Sequence, residues 1–71
     1  MKLFSKKGEV FLVIEEDLPD VGAYLYVYNQ RKECTADYLQ DDVNACKDMA
    51  YTLYGVTDEE WETRENDWHQ Q

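Results

Sequence analysis

From Ala23 to Tyr28 the chain reads Ala-Tyr-Leu-Tyr-Val-Tyr, an unbroken alternation of aliphatic and aromatic residues. A period of two belongs to a β-strand, with Ala23, Leu25 and Val27 on one face and Tyr24, Tyr26 and Tyr28 on the other. Such a strand needs a sheet with a core on its aliphatic side, and it sets a row of tyrosines on the opposite side. A chain of 71 residues has room for one sheet layer and one helical layer, because a domain this small buries only about 60% of its unfolded surface. Residues 1–71 therefore read as a single domain with a thin core.

The neighbouring segments extend the sheet. Glu9 to Glu16 contains the run Val-Phe-Leu-Val-Ile, too short for a helix and rich in β-branched residues. Asp17 to Gly22, with Pro19 and Gly22, reads as a turn-rich connection. After the polar Asn29–Lys32 loop, Glu33 to Tyr38 alternates again. With Tyr28 opposite Glu33, Cys34, Ala36 and Tyr38 fall on the core side. Met1 to Phe4, followed by Lys6-Lys7-Gly8, is compatible with one more strand. The expected sheet is antiparallel, of three strands, or of four if Met1–Phe4 adds one.

At Asp42 the period changes. Val43, Cys46, Ala50 and Leu53 recur at helical spacing, with Met49 and Tyr54 flanking them. Asp41 or Asp42 can accept from the free amides at the helix start, and Gly55 can take the left-handed conformation at its end. The spacing predicts a helix over about 42–54 on the core face of the sheet. Thr57-Asp58-Glu59-Glu60 has the form of a capping box, with Val56 and Trp61 placed as a hydrophobic staple. It predicts a short C-terminal helix carrying Trp61 and, seven residues on, Trp68. The fold class is α+β.

The face opposite the core is where a functional reading starts. If Val10, Leu12 and Ile14 face the helix, Phe11 and Val13 emerge beside Tyr24, Tyr26 and Tyr28, and an apolar patch of that kind marks a contact surface. Its occupant is either the Trp61–Trp68 helix, a second copy of the chain, or another protein. The candidate partner-binding residues are thus Phe11, Tyr24, Tyr26, Tyr28, Trp61 and Trp68.

Charge narrows the classes. Sixteen acidic against seven basic residues give a formal charge of −9, which repels phosphates and argues against nucleic-acid binding. An acidic surface suits a basic protein partner, although acidic residues also keep small domains soluble. Residues 41–71 hold most of the field, with two basic and nine acidic groups. No apolar run reaches the length of a membrane span or a signal peptide, so the chain is expected in the cytoplasm, with no membrane partner. Cys34 and Cys46 have no metal-ligand spacing and read as reduced core thiols. His69 has no second ligand near it, and the carboxylates of Glu15–Asp20 lack the spacing of a calcium loop. Neither a metal, a cofactor nor a catalytic set is expected, and the chain does not read as an enzyme.

The segment Ala36-Asp37-Tyr38-Leu39-Gln40-Asp41-Asp42-Val43-Asn44-Ala45-Cys46 and the ending Tyr54-Gly55-Val56 resemble two groups of small bacterial proteins. One is a set of short proteins in which a hairpin runs into a helix followed by Tyr-Gly-Val or Tyr-Gly-Ile and a nearby Trp, here Trp61. The other is the HicB-like antitoxin domain. The resemblance covers about residues 10–61. It implies a fold more than a role, with Asp42 as the helix cap and Val43, Cys46 and Ala50 as inward positions; immunity- or antitoxin-like neutralisation is the sharpest form that a binding role would take. The reading drawn from the residues is an acidic protein-binding module. The competing one is a self-assembling homodimer whose interface is the aromatic face.

Overall fold

The computed structural model describes residues 2–16 and 22–64. They form an α+β fold in which a five-stranded sheet carries one helix. Strands β1 (Lys2–Lys7), β2 (Val10–Glu16), β3 (Ala23–Tyr28) and β4 (Cys34–Gln40) follow one another, α1 (Val43–Tyr54) crosses one face, and β5 (Glu62–Arg64) returns to the sheet. The spatial order is β4-β3-β2-β1-β5, every pair antiparallel.

The sheet thus exceeds the three or four strands expected. The opening segment is a full strand of six residues, because the two-residue Gly8–Glu9 turn brings Lys7 opposite Val10 and lays Leu3 against Ile14. The expected C-terminal helix is replaced by something shorter. The capping box forms, with the Thr57 amide donating to Glu60 Oε1 at 2.9 Å, yet only one 3₁₀ turn, Asp58–Glu60, follows. Trp61 then goes extended (φ −87°, ψ 134°), packs against the core, and leads into β5, which pairs with Lys2, Leu3 and Phe4. A local cap can start a helix, but burial of an indole and an unpaired strand edge outweigh its propensity.

The core lies on one side of the sheet. Leu3, Leu12, Ile14, Ala23, Leu25 and Val27 point to it from the strands, Cys46 and Ala50 from α1, and Val56 from the segment after the helix. The helix ends as its sequence specifies. Asp42 accepts from the Ala45 amide at 2.8 Å. Gly55, at φ 74°, donates to Tyr51 O at 2.9 Å, and Val56 N–H reaches back to Ala50 O at 3.4 Å. The inward line runs through Val43, Cys46 and Ala50 but does not continue to Leu53, which is half exposed. Beyond Ala50 the core is completed by Tyr54 and by Val56, which the left-handed glycine turns back onto it. On the β1 side, the Lys7 ammonium donates to both Glu60 carboxylate oxygens, at 3.0 and 3.1 Å, tying the 3₁₀ turn to the sheet.

The β3–β4 pairing corrects the expected register. Val27 faces Ala36, Leu25 faces Tyr38 and Ala23 faces Gln40, two residues further along β4 than the sequence reading placed them. The loop spans five residues. Asn29 organises it by accepting from the Arg31 and Glu33 amides at 2.9 and 3.0 Å through its side chain, while Lys32 takes φ 64°. An irregularity at Val27/Tyr28 then leaves Tyr28 opposite Cys34, and Thr35 Oγ1 donates to Val27 O at 3.2 Å. A shift of two keeps every side chain on its face, so alternation alone could not reveal it. Cys34, next to the irregularity, is exposed rather than in the core; only Cys46 is buried.

Candidate functional site

Strand alternation and register arrange the non-core face of the sheet in three cross-strand rows. The first holds Lys6, Phe11 and Tyr28, the second Glu62, Phe4, Val13, Tyr26 and Asp37, and the third Lys2, Glu15, Tyr24 and Leu39, with Arg64 at the register position opposite Lys2. Tyr24, Tyr26 and Tyr28 form a ladder along β3. The first two rings stack with centroids 5.6 Å apart and planes 16° apart, and the next pair lies at 6.5 Å and 40°. Phe4 and Phe11 make a second aromatic pair at 6.1 Å. All five rings are half buried, supported from the side by their neighbours, while Leu39 at the margin is 54% exposed. Among the described residues, α1 packs on β2, β3 and β4 from the opposite side.

Of the residues singled out in the sequence, Phe11, Tyr24, Tyr26 and Tyr28 come together here. Trp61 does not, because it packs against the core on the helical side, so it is no cover for the tyrosines. Its indole Nε1 is buried without a hydrogen-bond partner among the described residues, as is Ser5 Oγ. Trp68 lies outside the described residues. The sequence reading missed Phe4, Leu39, Lys2 and Lys6. The signal for three of them was present in the alternation Lys2-Leu3-Phe4-Ser5-Lys6, which puts Lys2, Phe4 and Lys6 on one side once β1 is accepted as a strand. Leu39 was hidden by the register shift.

The electrostatics of the face are divided. On the β1–β2 half the two cations are engaged within the chain. Lys2 Nζ lies 3.6 Å from Glu15 Oε2, and Lys6 Nζ sits 5.3 Å from the Phe11 ring centroid. On the β3–β4 half Asp37 is exposed, directly opposite Tyr26. Burial raises the Tyr26 hydroxyl above its ordinary pKa, and the nearby Glu15, Tyr24, Tyr28 and Asp37 add to the shift, so this phenol stays a neutral donor at physiological pH. Glu33, which the sequence reading set opposite Tyr28, is instead bound in the loop, where Asn29 Nδ2 donates to it at 3.0 Å.

Elsewhere, a cleft of about 390 Å³ opens where the ends of β2 and β3 meet the last turn of α1, lined in part by Val10, Tyr28, Arg31 and Tyr54. No group of three or more His, Cys, Asp or Glu among the described residues is placed to hold a metal ion. No described helix is long and apolar enough to cross a membrane.

The two thiols differ in a testable way. Burial first, and Asp42 second, push the Cys46 thiol up from 9.0 to about 11. A thiol-specific reagent at pH 8 is expected to modify one equivalent, Cys34, rapidly, and the second only at the rate of unfolding. Because the folded-state value is the higher one, this group's stabilising effect is complete below pH 9 and declines as pH rises toward 11. Equal fast labelling of both would place Cys46 outside the core.

No family model matches the chain, and neither do any curated protein or solved structure. The likeness to HicB-like domains thus rests on the strand-to-helix pattern, and the functional reading rests on the site.

Proposed function

We propose that this chain is a small acidic protein-binding module, without a catalytic role, that engages its partner through the open aromatic face of the sheet. The observation that carries the reading is the concentration of Phe4, Phe11, Tyr24, Tyr26 and Tyr28 on a face whose opposite side already holds the core. Rigid aromatic side chains give large contact area at small entropic cost, and Tyr is a frequent anchor of protein interfaces. Neutralisation of a toxin or similar protein is the sharpest form of this role. Nucleic acid is a poor fit, since both lysines on the face are occupied and the chain carries −9. The cytoplasm suits a chain with one exposed and one buried thiol, which are not paired.

A second reading places another copy on the face. It is favoured by the aromatic content of the face, since five half-buried rings on one side of a sheet can pack against themselves across a two-fold axis. A two-fold axis along the strands would set β1 of one copy over β4 of the other.

The experiment compares wild type with Tyr26→Glu and with the milder Tyr26→Thr, which keeps strand propensity. Both are expected to stay folded, losing about 1 kcal/mol with the ring stacking, while capture of a specific protein from lysate of the source cells is lost. Full capture by both variants removes the sheet face from the function. Light scattering separates the readings: a monomer at all concentrations excludes the self-assembling form, and a tight dimer that Tyr26→Glu dissolves excludes a face kept free for another protein.

A further inference from the structure

We propose that the partner docks a basic segment on the β3–β4 half of the face, its Arg or Lys cation lying against the Tyr24 and Tyr26 rings and the Asp37 carboxylate. The inference rests on the docking role above and specifies the chemistry of the occupant. The two halves of the face differ in what they have left to offer. On β1 and β2 the charges are satisfied internally, Lys2 by Glu15 and Lys6 by the Phe11 ring. On β3 and β4, Asp37 is exposed beside Tyr26, and no lysine or arginine among the described residues forms an ion pair with it. Aromatic rings with a carboxylate alongside are what a guanidinium recognises, since it stacks on the rings and donates charge-assisted hydrogen bonds from its edge to the carboxylate.

The rest of the molecule favours the same sign of partner. A chain of charge −9 draws a basic protein toward it and repels a second copy, whose own face lysines are already engaged. Asp37 stands directly opposite Tyr26, whose ring stacks on Tyr24 with centroids 5.6 Å apart, so the carboxylate and both rings border one site. Leu39, exposed and opposite Tyr24, supplies an apolar contact for the residue two places from the cation in an extended segment.

The test uses the intact isotope-labelled protein and three capped hexapeptides in which Phe alternates with Arg, with Gln or with Glu. Amide and ring resonances are followed during titration. The Arg peptide is expected to shift Tyr24, Tyr26, Asp37 and Leu39, and to bind about fivefold more weakly to Asp37→Asn, as an exposed ion pair with a ring contact implies. Raising salt from about 50 to about 300 mM should weaken it further. Equal binding of Arg and Gln peptides, unaffected by Asp37→Asn, overturns the basic chemistry but leaves the face as a docking site. Shifts confined to the acidic helical surface, around Asp48 and Asp58, overturn the placement. If none of the peptides touches the face, or if its resonances move with protein concentration alone, the basic-segment proposal fails and, in the latter case, a second copy is the occupant.

Discussion

Replacing Leu25 by Ala is expected to lower the free energy of unfolding by about 3 kcal/mol, within the range for buried leucines. Leu25 is fully buried at the centre of the core face, between Ile14 and Tyr38 in its cross-strand row. A domain of this size has roughly 4–10 kcal/mol to lose, so the variant should melt about 15 °C lower or more. Its urea midpoint should fall with an unchanged slope. Leu53→Ala provides the contrast. The two leucines carry similar weight in a hydrophobic pattern, but Leu53 is half exposed and its truncation is expected to cost about 0.5 kcal/mol. Equal costs would mean that the helix rotates Leu53 into the core.

Gly22→Ala should be nearly as damaging, also about 3 kcal/mol, for a different reason. Gly22 precedes β3 at φ 103°, and a Cβ there would run into the Gln40 carbonyl oxygen at the end of β4. Backbone cannot yield as a flexible side chain can, so conformational strain and overlap add. Gly55→Ala separates the two terms. Its φ of 74° borders the left-handed region that alanine can enter, and the space around the position is open, leaving only a left-handed strain of about 1 kcal/mol. If both substitutions cost the same, close approach to β4 has no part in fixing Gly22. A thermal or urea series of the four variants measures all of this.

The elements that the sequence made legible are those whose signals are local. The alternation of Ala23–Tyr28 located the ladder and its faces, and Asp42 and Gly55 marked the helix ends where their caps form. What escaped depends on partners distant in the chain. The strand β1 is convincing only once Leu3 meets Ile14, and β5 exists because Trp61 finds the core and an open strand edge finds Glu62–Arg64. The β4 register was invisible to pattern because a slip of two residues preserves every face. It decided that Asp37 stands opposite Tyr26 and that Leu39 joins the face. Cys34 was misplaced by the same irregularity. The candidate site was therefore legible as a tyrosine ladder with Phe11, while its charge layout needed β1 and the true register.

That layout gives the account its shape. One side of the sheet holds the core, and the other carries rings that their neighbours among the described residues support without enclosing them. We propose that this second side meets another protein. Incorporating a photoreactive phenylalanine at Tyr26, and separately at the exposed Tyr51 on α1, tests it most directly when the protein is irradiated in its source cells. The expected result is one discrete adduct to a different protein from position 26 and none from position 51. An adduct from position 51 alone, or from position 26 only to a second copy of the chain, would contradict it.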